Sequence, residues 1–236
     1  MLLPEGWMPS AVAVDIDGTL TDDDRTLHPG IIKALRAIED SDIPVILATG
    51  NVRPVAYALH RLLRLSGPMV CENGGVIWNP HDGFLKVMHD GNRARLAAKW
   101  LSKEIAGLDP IGIESNAWRE SEWCLRVGEN DQEIREKLAK SQWKDMVVVR
   151  TGFAIHVNEP GLNKGEGLKI ACENLGIPLS EVLAVGDAPN DIPMFEVAGY
   201  SIAVGGSYPE TIAAATHSSK YRRAETIVKI AEEICN

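Results

Sequence analysis

The chain has 236 residues, 33 acidic against 24 basic, and a formal net charge of −9. That balance argues against a nucleic-acid binder working by phosphate neutralisation, and 45% hydrophobic with 24% charged residues excludes a disordered or fibrous chain. The length accommodates one large domain, or a core with a second lobe, with no disulfide or structural metal needed to hold it together.

The first ten residues, with Pro4, Gly6 and Pro9, read as a short extension. Ala11–Val14 is an apolar run that stops at Asp15, the pattern of a buried strand in a parallel sheet. His28-Pro29-Gly30 opens a helical pattern with Ile31, Leu35 and Ile38 on one face. A second buried strand, Ile43–Ala48, ends at Thr49-Gly50-Asn51, and a helix follows with Val55, Leu59, Leu62 and Leu63 as its expected apolar stripe. Pro68–Cys71 is a third strand, ending at Glu72-Asn73-Gly74-Gly75. Strands alternating with helices indicate βαβ units and a parallel sheet.

Composition shifts after Gly75, and five of the six tryptophans fall between residues 78 and 143. Strands are expected over 84–88, 111–115, 122–127, 146–150 and 153–157, with helices over 93–106 and 130–141. Thr151-Gly152 marks a hairpin between the last two strands. This αββαββ order predicts an inserted α+β lobe with an antiparallel sheet over residues 82–157, its tryptophans serving mainly as core. From Asn163 the alternating pattern returns: a helix over Lys164–Leu175 stopped by Gly176, a strand over Val182–Val185, a helix opened by Pro189, a strand over Ser201–Val204 and a closing helix over Glu225–Ile234. The expected fold is therefore α/β, a Rossmann-like three-layer core with a parallel sheet (1–81 and 158–236) carrying the inserted lobe.

The four cysteines (Cys71, Cys124, Cys172, Cys235) lie far apart without CxxC spacing, which fits reduced thiols in a cytoplasmic protein. No apolar run approaches the roughly 18–20 residues of a membrane span, and Met1–Ser10 has no signal-peptide pattern.

In open α/β sheets ligands bind at the carboxyl ends of the strands. Polar residues gather there: Asp15-Ile16-Asp17-Gly18-Thr19, Thr49-Gly50-Asn51, Lys164 at a helix start, and Gly186-Asp187-Ala188-Pro189-Asn190-Asp191. Asp15, Asp17, Asp187 and Asp191 crowded together would repel one another, and a hard divalent cation such as Mg²⁺ removes the conflict. The cation and Lys164 would offset the charge of an incoming phosphate, and Thr49 would add a hydroxyl donor. A carboxylate can act as nucleophile and form an aspartyl-phosphate; a second carboxylate two residues on can serve as acid, then base. Asp22, Asp23 and Asp24 read as a solvated loop, His156 as packing, and Gly205-Gly206-Ser207 as a weak phosphate-loop pattern.

At this point the sequence resembles the haloacid dehalogenase-like hydrolases. The matching segments are Asp15-Ile16-Asp17-Gly18-Thr19-Leu20, Ala48-Thr49-Gly50-Asn51, Asn163-Lys164-Gly165 and Gly186-Asp187-Ala188-Pro189-Asn190-Asp191, in the family's order. Glu72-Asn73-Gly74-Gly75 resembles the loop preceding the large cap, of type C2, that one subgroup inserts. The resemblance implies Asp15 as nucleophile and Mg²⁺ ligand, Asp17 as general acid/base with its carbonyl on the metal, and Thr49 as a donor to the phosphoryl group. It implies Lys164 as the neutralising cation and Asp187 and Asp191 as ligands of Mg²⁺ or of its waters. Gly50 and Asn190 would help bind substrate. Pro189 departs from the commonest form of the fourth segment. Within the family, the chain size and cap look most like the archaeal-type phosphoglycolate phosphatases. The expected activity is Mg²⁺-dependent hydrolysis of a small phosphorylated metabolite, 2-phosphoglycolate first, with a sugar phosphatase or a phosphomutase as alternatives. A non-enzymatic phospho-aspartate regulator fits less well, because Asp17 completes hydrolysis. Neither a nucleic acid nor a membrane is an expected partner, and a homodimer is left open. The predicted lobe carries twelve acidic and twelve basic residues, so the whole charge of −9 belongs to the core.

Overall fold

The computed structural model describes residues 1–235. The chain begins β1 (Ala11–Val14), α1 (Ile31–Glu39), β2 (Val45–Ala48), α2 (Arg53–Leu63), β3 (Met69–Cys71), β4 (Val76–Trp78) and β5 (Leu85–Val87). It continues through α3 (Asn92–Glu104), β6 (Trp123–Arg126), α4 (Asp131–Ala139), β7 (Val147–Arg150) and β8 (Ala154–Asn158). It ends with α5 (Lys164–Leu175), β9 (Val182–Gly186), α6 (Ile192–Val197), β10 (Tyr200–Gly205), α7 (Pro209–Ala214), β11 (His217–Arg222) and α8 (Ala224–Ile234). Two compact units result, one of residues Met1–Leu85 with everything from Asn163 onward, the other of Lys86–Leu162.

An eight-stranded sheet in the order β11-β10-β9-β1-β2-β3-β4-β5 carries the first unit, whose first segment ends within the edge strand β5. The pairs from β11 to β3 are parallel, and β4 returns antiparallel to β3. Every residue of β1, β2 and β9 is buried, which explains their unbroken apolar sequences. Alternate residues serve opposite faces. Val12, Val14, Val45, Leu47, Leu183 and Val185 join the core formed with α1, α2 and α8. Helix α5 packs against β2, β3 and β4, and α6 against β9 and β10. β1 lies between β2 and β9, where the strand order reverses, so the cleft outside its carboxyl end is the expected ligand position.

The second unit has a three-stranded antiparallel sheet, β6-β8-β7. One face packs Leu125, Val148, Ile155 and Val157 against Ala94, Ala97, Ala98, Leu101, Ile134 and Leu138 of α3 and α4, with Trp100, Trp123 and Trp143 bordering this core. Trp118 is exposed, and Trp78 packs in the other unit against the Tyr57 ring.

Several sequence expectations need correction. The stretch 111–115 is not a strand. Asp109 caps the Ile111 amide, Gly112 takes a φ of +71°, and Glu114–Trp118 forms a 3₁₀ turn. The Asn116 side chain donates to the Ile111 and Cys124 carbonyls and accepts from the Cys124 amide, so one amide group takes a strand's place beside β6. The strand expected over 84–88 is β5, at the edge of the large sheet. The stripe on α2 is Ala56, His60 and Leu63, while Val55 and Leu62 are exposed. The His60 ring meets the Gly67 carbonyl at 2.9 Å, so a titratable side chain fills a position that apolar periodicity assigns elsewhere. The sequence gives no signal for β4, α7 or β11; β11 reads His-Ser-Ser-Lys-Tyr-Arg and is too polar to mark a strand. Among the described residues no helix is long and apolar enough to cross a membrane.

Candidate active site

The four polar segments converge at the carboxyl ends of β1, β2 and β9. Asp15 directly follows β1 and still donates its amide to the Val185 carbonyl at 3.0 Å, so the sheet ladder fixes its backbone. The chain then turns. The Leu20 amide bonds the Ile16 carbonyl at 2.9 Å, and the Gly18 amide bonds Thr21 Oγ1 at 2.9 Å. Gly18 has a φ of +92°, and a Cβ there would overlap the Asp187 carboxylate, so only glycine fits.

Lys164 opens α5, whose N-cap Asn163 accepts the Glu166 amide at 3.0 Å. The helix start aims a fully buried ammonium between two carboxylates: Nζ donates to Asp15 Oδ1 at 2.6 Å and to Asp191 Oδ1 at 2.5 Å. Asp191 Oδ2 accepts the backbone amides of Asp187 at 2.9 Å and Ala188 at 3.0 Å. Asp191 thus engages both oxygens, holding Lys164 with one and the loop after β9 with the other.

Thr49 follows β2, its amide bonded to the Val70 carbonyl at 2.8 Å. It is buried and does not cap α2, whose N-cap position is Val52. Its Oγ1 accepts the Asn51 amide at 3.0 Å. Asn51 Nδ2 donates to Asp17 Oδ2 at 2.6 Å and approaches Thr49 Oγ1 at 3.4 Å, tying the second segment to the first. Gly50 is buried beside the Asn73 side chain, and Asn190 Nδ2 donates to Asn73 Oδ1 at 3.1 Å. Asn51 and Asn73 lie within two of the polar segments, and no contact of either is legible in the sequence. The only available signal for Asn51 is its place two residues after Thr49; for Asn73 it is the left-handed φ of 53°, visible only in the structure.

The electrostatics follow from burial. Burial pushes the Asp15 carboxyl well above the usual range; Asp191, Asp187 and Asp17 add to this, and Lys164 opposes it. Asp187 is pushed up to about 7, first by burial and then by Asp191, with Lys164 and Arg223 opposing. For Lys164, burial disfavours the charge, but the Asp15 and Asp191 carboxylates outweigh it and raise the pKa above the ordinary 10.5. One ammonium faces too much negative charge. Asp15 Oδ2 and Asp187 Oδ1 are buried without a hydrogen-bond partner, and oxygens of Asp15, Asp187 and Asp191 lie within 4.8 Å of one another. A cluster of three carboxylates this close, two of them with an orphaned oxygen, fits a divalent cation such as Mg²⁺.

A second buried cluster, Glu122, Cys124 and His156, lies in the Lys86–Leu162 unit. Cys124 and His156 are cross-strand partners on β6 and β8, with Sγ to Nδ1 at 3.1 Å, and His156 Nδ1 meets Glu122 Oε1 at 2.9 Å. Arg119 pairs with Glu122 and supplies the positive charge, so this cluster reads as a closed hydrogen-bond network.

Comparison with known proteins follows the same lines. Residues 12–96 and 124–230 match the model of a family described as haloacid dehalogenase-like hydrolase. The phosphoglycolate phosphatase of Methanothermobacter thermautotrophicus is 39% identical over 201 residues, covering 85% of this chain and 87% of that one. That of Archaeoglobus fulgidus is 40% identical over 201 residues, 85% and 86% of the two chains. A crystal structure of a Thermoplasma acidophilum protein superposes with a TM-score of 0.86 at 28% identity, over 96% of this chain and 98% of that one.

Proposed function

The chain belongs to the haloacid dehalogenase-like hydrolase family, and we propose that within it the protein is a Mg²⁺-dependent phosphomonoesterase whose substrate is 2-phosphoglycolate. The carrying observation is the buried Lys164 ammonium shared by Asp15 and Asp191, beside two carboxylate oxygens that lack partners. A site this acidic, with one internal cation, is built to receive a second cation and then an anion. The substrate choice leans on the relatives named for that activity at 39% and 40% identity.

Asp15 and Asp187 would hold the cation through their orphaned oxygens, with the Asp17 carbonyl. Asp191 keeps Lys164 and the loop carrying Asp187 in place. When bound, Mg²⁺ would neutralise charge on the phosphoryl group. Asp15 attacks phosphorus with a carboxylate oxygen, a P–O bond forms and the ester P–O bond breaks. Asp17, steered by Asn51, donates its proton to the leaving alkoxide. Asp17 then takes a proton from water, whose oxygen attacks the aspartyl-phosphate, releasing inorganic phosphate and restoring Asp15. Lys164 balances charge throughout, and Thr49 and the Gly50 turn receive the phosphoryl oxygens.

The test is phosphate release from 2-phosphoglycolate and a panel of sugar phosphates, with Mg²⁺ and with EDTA. 2-Phosphoglycolate should be turned over fastest and only with the metal. A sugar phosphate hydrolysed faster would overturn the substrate assignment alone. Asp15→Asn, nearly isosteric, should abolish turnover while leaving the melting temperature within a few degrees; a fully active variant would refute the nucleophile.

A further inference from the structure

Three local rules of protein structure are broken at one place, the junction of β11 and α8. The first is register: β10 pairs Ala203 with Ser218 but Gly205 with Arg222, so β11 carries an irregularity just before its end. Bulges of this kind re-aim side chains and cluster beside active sites. The second is backbone conformation. Arg223 sits at φ 42°, ψ −125°, a region glycine occupies and other residues avoid. The third is charge. Arg222 and Arg223 immediately precede the N-terminus of α8, where the helix dipole favours anions and where Ser, Asp or Asn would normally cap. The junction is closed locally by the Arg223 amide on the Gly205 carbonyl and the Thr226 hydroxyl on the Tyr221 carbonyl, but neither bond needs an arginine side chain, and rules broken together point to a role elsewhere.

The two arginines converge on one carboxylate. Arg223 Nε donates to Asp23 Oδ1 at 2.7 Å, and Arg222 NH2 reaches Asp23 Oδ1 at 3.2 Å and Oδ2 at 3.3 Å. The run Asp22–Asp24 is solvent-exposed at Asp23 and Asp24, as expected, but it is also ordered by specific bonds. Thr21 and Leu27 form an antiparallel bridge, the Asp22 amide bonds the Thr26 carbonyl at 2.9 Å, and Asp24 Oδ1 accepts the Thr26 amide at 3.0 Å. Residues 21–27 thus make a small hairpin. Its root is Thr21, whose hydroxyl accepts the Gly18 amide in the turn that carries Asp17. Asp23 is its tip.

We propose that Arg223, aided by Arg222, latches this hairpin and so acts as a positioning residue for Asp17, resting on the reading of Asp17 as the acid/base. The strained backbone is what turns the Arg223 guanidinium toward Asp23. An arginine is kept at a glycine-like conformation because its side chain is needed there.

The test uses the full-length protein and the variants Arg223→Gly, Arg223→Lys, Asp23→Asn and the Asp23→Asn/Arg223→Gly double. Glycine relieves the strain, so Arg223→Gly should keep or raise the melting temperature. It should nonetheless speed amide hydrogen exchange in residues 20–27 and lower kcat by about two- to fivefold with KM nearly unchanged, the range of an exposed ion pair felt at a catalytic group. Asp23→Asn should match it, the double should lose no more than either single, and Arg223→Lys should recover part of the loss. Unchanged exchange in residues 20–27, wild-type kcat in Arg223→Gly, or additive losses tracking a falling melting temperature would overturn the latch. Hydrogen exchange needs no substrate, so a wild-type protein inactive on every phosphate ester would defeat the functional reading while leaving the latch to be judged by exchange.

Discussion

Lys164→Met removes the ammonium while keeping most of the side-chain volume. Its partners sit at 2.6 and 2.5 Å, and none of the three side chains is more than 6% exposed. Breaking such a buried pair by deleting one member costs about 3–5 kcal/mol, because the remaining charge is left uncompensated. For a chain of this size each kcal/mol moves the melting temperature by about 2–4 °C, so a fall of roughly 6–20 °C is expected. The pH dependence carries a sign. The Lys164 pKa is raised, so the wild-type contribution is present in full below the ordinary 10.5 and does not vary between pH 5 and 8. The carboxyls of Asp15 and Asp187 are also raised, and without Lys164 they rise further; at low pH they take up protons and the uncompensated charge disappears. The deficit should therefore be largest near pH 8 and shrink toward pH 5. Thermal melts by circular dichroism at the two pH values, in EDTA, measure it. A variant melting within about 2 °C of wild type at pH 8, or a deficit growing as pH falls, would refute the reasoning. Phosphatase activity should drop by at least about 100-fold, the scale of losing a preorganised charge at a phosphoryl group.

Two further outcomes follow from the same geometry. Asn51→Ala removes the 2.6 Å bond to Asp17; a hydrogen bond of ordinary strength contributes about 0.5–1.5 kcal/mol, so kcat should fall roughly 2- to 10-fold with little change in KM, read by steady-state kinetics. Mg²⁺ should stabilise the protein more at pH 8 than at pH 5. Asp187 titrates near 7 in the fold against an ordinary 3.8, so the metal-free protein loses stability as pH rises through that window, and a bound cation removes the penalty. Melting shifts with Mg²⁺ against EDTA at both pH values check this, and an equal shift at both would contradict it.

Much of the molecule was legible because its signals are local. The buried strands β1, β2 and β9 announce themselves as apolar runs ending in Asp15, Thr49 and Gly186-Asp187, and α5 by its helical pattern and the stop at Gly176. Motif order then names Asp15, Asp17, Thr49, Lys164, Asp187 and Asp191 as one set before any contact is known. What failed was whatever depends on one specific partner group rather than on the periodicity of the segment itself. The stretch 111–115 looks like a strand until Asn116 fills the place beside Cys124. β11 is recognisable only against β10, and the α2 stripe runs through His60 because the Gly67 carbonyl waits there.

The sequence by itself determined the chemistry on offer: acids, one lysine and one threonine at strand ends, in an order that resembles one family. Only the tertiary structure decided how those groups divide the work. Asp191 spends both oxygens on Lys164 and the β9 loop, Asp17 answers to Asn51, and Asp23 is held from 200 residues away by Arg223. The physical reason is that a carboxylate's role depends on which donors reach it and how much water it loses, and both are properties of the packed chain.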